Sequence, residues 1–206
     1  MTRGIFVALE GIDGSGTTTQ AARLKTRLED LGLKTHATAE PSEGPIGITI
    51  RRVLQGELGM DDDALALAFA ADRLDHWNRE IEPALAKGRV VISDRFVLSS
   101  LAYQSLSSPL EWIVTLNGRA PRADLNVFLR INSHLAGQRV ALRDGDSERF
   151  ETDDFQRRVA VRYDEVCRRR DVGPVVSVNS EASIEQTEAA IWEHVQALLS
   201  ARGVVA

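Results

Sequence analysis

The stretch Gly11-Ile12-Asp13-Gly14-Ser15-Gly16-Thr17-Thr18-Thr19 has the spacing of a phosphate-binding loop without its lysine. The pattern G-x-x-x-x-G-K-[S/T] is met at Gly11, Gly16 and Thr18, and Thr17 stands where the lysine is expected. Such a loop wraps backbone N–H groups around anionic oxygens at the start of a helix. The lysine adds positive charge at the β- and γ-phosphates, and the hydroxyl residue reaches Mg²⁺. The stretch therefore points to nucleotide chemistry while omitting one of its main electrostatic parts. Either another residue compensates, or the loop binds without turnover.

A loop of this kind must sit between a strand and a helix, and the flanking sequence supplies both. Ile5-Phe6-Val7-Ala8-Leu9 is a short apolar run that stops at glycine, as a buried parallel strand does. From Thr17 to Leu31 the apolar residues Ala21, Leu24, Leu28 and Leu31 recur at helical spacing, and Gly32 ends the helix. A weaker strand is predicted at Thr35–Ala39 and a short helix at Pro45–Leu54. Asp61-Asp62-Asp63 caps a longer helix running toward Ala86, with Pro83 bending or interrupting its end.

The second clear buried strand is Arg89–Asp94, whose polar end carries Asp94-Arg95 to the sheet edge where open α/β folds bind ligands. An arginine there can hold a phosphate bidentately. Helices follow around 96–106 and 109–117, a strand at Leu125–Ile131, and helices at 133–142 and 153–170. Val175–Val178 and a helix from Ile184 to Leu199 complete the pattern. Alternating strands and helices predict an α/β fold of three layers, with a parallel sheet of about five strands and helices on both faces. With no repeat or long linker, residues 1–206 read as a single domain.

Composition narrows the function further. A net charge of −5 argues against a general nucleic-acid binder. The single Cys167 excludes an intramolecular disulfide and a cysteine zinc site, and reads as an ordinary helix residue. The longest apolar run, Ala64 to Ala71, is far short of a membrane span, and Met1–Ile5 leads straight into a strand with no signal peptide visible. The expectation is a soluble cytoplasmic protein with no membrane partner.

Leu9–Gly16, Glu40-Pro41, Phe69–Arg73 and Ser93–Gln104 together resemble the thymidylate kinase family in order and spacing, from Ile5 to about Asn179. The resemblance implies a P-loop nucleoside monophosphate kinase fold with a small lid, and transfer of a phosphoryl group from ATP to dTMP with Mg²⁺. It implies that Gly11–Thr19 hold ATP, that Thr18 reaches the metal, and that Asp94 either holds a metal-bound water or orients Arg95. Asp13 would accept a hydrogen bond from the 3′-hydroxyl of dTMP, and Arg95 would neutralise charge on the moving phosphoryl group.

For the base, the resemblance makes Phe69 stack on thymine and Arg73 bond its carbonyl oxygen. Helical periodicity alone would place Phe69 in the core. Ser100 and Gln104 resemble readers of the thymine edge, and Tyr103 the residue that crowds the 2′ position. Arg51 matches the arginine that grips the dTMP phosphate. The usual Arg-Glu-Pro triplet reads Ala39-Glu40-Pro41, leaving Glu40 to organise metal water or Arg95. Arg139 and the segment around Asn179 fall at the adenine pocket by family position, and a homodimer is implied.

Family members carry a catalytic arginine either in the loop or in a mobile lid. Ser15 fills the loop position, so the chain resembles the lid type. The candidate lid, about 143–152, is polar and mixed in charge with a turn signal at Asp144-Gly145. Arg143 or Arg149 is expected to cover part of the role vacated by Thr17. Two other functions stand beside this one: a non-catalytic nucleotide-binding protein, and a kinase for a different nucleoside monophosphate.

Overall fold

The computed structural model describes residues 3–144 and 149–204, with the side chains of 143–153 outside that description. Five parallel strands form one sheet in the order β2-β3-β1-β4-β5. Strand β1 (Ile5–Glu10) lies at the centre, between β3 (Val90–Asp94) and β4 (Leu125–Arg130). Strands β2 (Thr35–Ala39) and β5 (Val175–Asn179) form the edges.

Successive side chains of a strand face opposite ways, and both faces of this sheet are covered. Ile5, Val7 and Leu9 pack with Leu24, Leu28, Trp192 and Val195 from helices α1 (Thr17–Asp30) and α9 (Ile184–Ala201). Phe6 and Ala8 face the other layer, against Trp77, Ile81 and Phe96. Glu10 is next in that second series, so the strand's own alternation carries a carboxyl group into a buried layer.

The registers Leu9↔Asp94, Ala39↔Asp94, Glu10↔Phe128 and Arg130↔Asn179 bring all five carboxyl ends to one edge. The loops leaving that edge begin at Gly11, Glu40, Arg95, Ile131 and Ser180. Gly16 sits left-handed at φ 93° immediately before α1, and the first turn of that helix contains no acidic residue. Its free N–H groups are thus left to an anion.

Helix α2 (Pro45–Leu54) follows the sequence expectation, and α3 spans Asp62–His76 with Asp61 capping the N–H of Asp63 at 3.0 Å. The expected continuation to Ala86 is present, passing through a wide π turn at Trp77–Ile81 into the short α4 (Glu82–Ala86). Pro83 has no N–H to donate, and the helix absorbs the missing bond by widening the turn ahead of it.

Helix α5 (Val97–Tyr103) runs into a single 3₁₀ turn at Gln104–Leu106, and α6 spans Leu110–Asn117. Helix α7 (Ser133–Asp144) extends past its expected end, and α8 (Arg149–Val166) begins and ends about four residues earlier than the sequence suggested. The polar stretch read as a lid is therefore helical in backbone at both ends. Glu and Arg are good helix formers even without apolar periodicity. Residues 145–148 of the lid, and the side chains of Arg143 and Arg149, lie outside the described residues. Among the described residues, no helix is long and apolar enough to cross a membrane.

The backbone of α7 presses on the phosphate loop. A Cβ on Gly14, whose φ is +80°, would lie 2.2 Å from the carbonyl oxygen of Ala136. Gly14→Ala should cost about 2 kcal/mol or more through strain and collision. The check is chemical denaturation, where the midpoint should fall with the slope unchanged.

Candidate active site

Two cavities open at the carboxyl edge and share Asp13 and Arg95. The first, of about 440 Å³, is walled by Phe69 and Arg73 of α3, by Ser99, Ser100 and Tyr103 of α5, and by Gln104 and Phe155. The second, of about 530 Å³, is lined by Ile12 to Gln20, by Arg139 and Val140 of α7, and by Ser180, Ala182, Ser183 and Ile184. One cavity is aromatic with a few polar groups, and the other is a cradle of backbone N–H groups. That pairing suits a flat heterocycle on one side and a polyphosphate on the other.

Arg95 sits at the junction. Its φ of 72° is a left-handed conformation that a non-glycine residue resists. Its N–H donates to Leu9 O at 2.8 Å and its carbonyl accepts from Ser93 Oγ at 2.7 Å, which fixes the turn. The guanidinium then donates to Gly11 O at 2.8 Å, to Ser99 Oγ at 3.3 Å and to Asp13 Oδ1 at 2.5 Å. It lies 5.1 Å from the ring centre of Tyr103. Asp13 is held from its other side by Gln156 of α8, whose amide donates to Oδ2 at 2.7 Å.

Arg73 is 1 % exposed, with Glu40 beside it at 2.7 Å. Its fork donates to Glu40 Oε2, Phe96 O and Ser100 Oγ at 2.9–3.0 Å, and to Asn117 Oδ1. Glu40 also faces Nδ1 of His76 at 3.2 Å, and the other ring nitrogen of His76 is 2.7 Å from Thr38 Oγ1. Phe69, one helical turn before Arg73, is half-buried and faces the cavity instead of the core. Gln104 lines the same cavity, and the buried hydroxyl of Tyr103 has no hydrogen-bond partner.

On the loop side, Thr18 Oγ1 donates to Asp94 Oδ2 at 2.5 Å, while the buried Oδ1 of Asp94 has no partner. A hydroxyl beside a carboxylate oxygen without a partner is a hard-oxygen pair that fits Mg²⁺. No group of three or more His, Cys, Asp or Glu that could hold a metal occurs among the described residues. A magnesium ion here would complete its shell with water and phosphate oxygens.

The family model described as thymidylate kinase matches residues 9–191. The chain belongs to the thymidylate kinase family. A protein of Pyrococcus horikoshii named "Probable thymidylate kinase" is 42% identical over 167 residues, covering 78% of this chain and 82% of that relative. One of Pyrobaculum calidifontis with the same name is 39% identical over 199 residues, covering 95% and 99%.

Several residues expected at a thymidylate kinase site are brought together here: Asp13, Glu40, Phe69, Arg73, Arg95, Ser100, Tyr103 and Gln104 all line the first cavity. Arg51 is not among its lining residues; it donates to Pro41 O at 2.7 Å and Ser42 O at 2.8 Å and pairs with Glu43. Asn179 falls outside the loop cavity and accepts from Glu181 N at 2.9 Å, leaving the buried Ser180 to clamp Ser15 O. Cys167 is a half-buried residue just past α8, its thiol pushed up to about 12 by burial, which keeps it inert.

Sequence reading missed Glu10, Ser99, Asn117, Phe155 and Gln156. Glu10 is fully buried and accepts from Leu98 N at 3.1 Å, Ser99 Oγ at 2.6 Å and Tyr163 Oη at 3.3 Å. Burial pushes its carboxyl up to about 7, against the hydrogen bond from Ser99 and the charge of Arg95. The unfolded chain therefore releases this proton near 4.5 and the folded one near 7. The stabilisation is full below the lower value and is lost as pH rises through the higher one.

Glu10→Gln should abolish that loss. Denaturation at pH about 5 and about 8 should show wild type giving up about 3 kcal/mol more than the variant. Equal losses would remove Glu10 from the account.

Proposed function

We propose that this chain transfers the γ-phosphoryl group of ATP to dTMP, giving ADP and dTDP, and works as one kinase domain. The observation that carries the reading is the meeting of a base-sized aromatic cavity and a phosphate loop at Arg95. A monophosphate whose base lies between Phe69 and Arg73 would extend its phosphate toward Arg95. ATP in the loop would present its γ-phosphoryl group from the other side. Phosphoryl transfer needs mainly such alignment plus charge neutralisation, because the transition state spreads charge over peripheral oxygens.

Each residue then has a task. Phe69 stacks on the base, Arg73 and Ser100 set its polar edge, and Gln104 offers an amide that both donates and accepts. Asp13 takes the 3′-hydroxyl, and Tyr103 fills the space where a 2′-hydroxyl would lie. Arg51 leaves its carbonyl partners to grip the substrate phosphate. Thr18 and Asp94 are the residues that would hold Mg²⁺, which would neutralise negative charge on the phosphates of ATP. Arg143 or Arg149 acts on the transferring group as the lid covers the site. The family resemblance further supports a cytoplasmic homodimer.

A coupled assay of ADP formation, with dTMP, dUMP, dCMP and thymidine in competition, tests the reading. The expected outcome is ADP formation with dTMP favoured. An enzyme that binds ATP yet forms no ADP with any of the four would overturn it in favour of a binding protein. Phe69→Ala should raise KM for dTMP roughly 10- to 100-fold by removing stacking worth about 1–3 kcal/mol. Arg143→Ala and Arg149→Ala should each lower kcat with little change in dTMP affinity, and full turnover in both would remove the lid from catalysis.

A further inference from the structure

Thr17 leaves a charge missing from the loop, and the surroundings of the second cavity indicate where it is replaced. The residue is 6 % exposed in the first turn of α1, and its hydroxyl carries no charge. The three lysines of the chain lie elsewhere. Lys25 pairs with Glu29 at 2.8 Å, while Lys34 and Lys87 precede β2 and β3 at the opposite edge of the sheet. Arg23 and Arg27 of α1 turn to Glu188, at 2.5 Å and 3.7 Å.

Two described arginines line the loop cavity, Arg95 and Arg139. Arg95 is tied to Asp13, Gly11 O and Ser99 at the junction with the other cavity. Arg139 is different. It is half-buried, lines the wall with Gly14 and Thr17, and makes no hydrogen bond or ion pair with any described residue. Its place follows from packing: α7 crosses the loop where Gly14 meets the carbonyl of Ala136, and Arg139 is three residues further on the same helical face. The single acidic residue lining this cavity, Asp13, is already neutralised by Arg95. A guanidinium with five N–H groups, none bonded to a described residue, thus faces an anion cradle.

We infer that Arg139 supplies to the β- and γ-phosphate oxygens of ATP the positive charge that a loop lysine would carry. This rests on the kinase reading above, and it moves the residue from the adenine pocket, where the family position would put it, to the phosphates. The two locations predict different losses. A contact with adenine weakens AMP and ATP alike, whereas a contact beyond the α-phosphate spares AMP.

The experiment uses calorimetric titration of ATP and AMP into the full chain, followed by turnover with dTMP. Arg139→Ala should weaken ATP about tenfold and leave AMP within about twofold, and kcat should fall roughly 10²–10³-fold. Thr17→Lys should recover at least about tenfold of that kcat in the Arg139→Ala background, and none in an Arg149→Ala background. Equal weakening of AMP and ATP would overturn the inference, as would a folded Thr17→Lys/Arg139→Ala protein no faster than Arg139→Ala. Should Thr17→Lys fail to fold, Arg139→Lys decides in its place: retention of ATP affinity supports a charge contact, and its loss overturns one. The titrations need no turnover, so a chain inactive toward dTMP would sink the kinase reading and leave the ATP-to-AMP contrast readable.

Discussion

Arg95 holds a backbone conformation that its side chain resists, and the site depends on keeping it there. A left-handed non-glycine residue costs on the order of 1–3 kcal/mol and persists only when its surroundings over-determine it. Here the strand ends do so: Leu9 O takes its N–H and Ser93 Oγ reaches its carbonyl. The reward is direction. A relaxed turn after β3 would send the guanidinium elsewhere, whereas this one sends it back over the loop following β1. Two loops from neighbouring strands are thereby joined by one side chain, and the two cavities share a wall.

Behind that wall lies the Glu10 carboxyl. It takes the Leu98 N–H at the start of α5 and receives Tyr163 from α8, while Ser99 links it to Arg95. Seven residues before Tyr163, two turns along the same face, Gln156 grips Asp13. A buried ionisable group is costly to keep, and breaking its partners is costlier than never having had them. This network therefore rigidifies the places where α5 and α8 approach the loop, more than it adds to stability.

The sheet was legible because buried parallel strands are written as apolar runs, and Ile5–Leu9, Val90–Asp94 and Leu125–Arg130 are such runs. Phe69 shows where periodicity stops informing: the helix face that lines a cavity is spaced like the face that lines a core, so only the resemblance separated them. Glu10 was invisible for the opposite reason. It ends an apolar run as the polar residue before the loop, and only the alternation of a strand carried one position further turns its carboxyl inward. Asn179 stays outside the loop cavity that Ser180 lines, since strand alternation exposes 179 and buries Val178 and Ser180. Of the partners that come from α8, Gln156 meets Asp13 across more than 140 residues of sequence and Phe155 lies against Tyr103, proximities that only the packed fold creates.

One property of Arg73 bears on how firmly the wall of the first cavity is held. Four of its five N–H groups are already bonded to Glu40, Asn117, Phe96 and Ser100 before any ligand arrives. The fifth, on Nη1, belongs to a side chain that lines the first cavity and has no freedom to turn away. A guanidinium held by a carboxylate, an amide, a carbonyl and a hydroxyl cannot swing aside without stranding several buried polar groups at once. That stretch of cavity wall is therefore set when the chain folds, and its shape does not wait for a ligand.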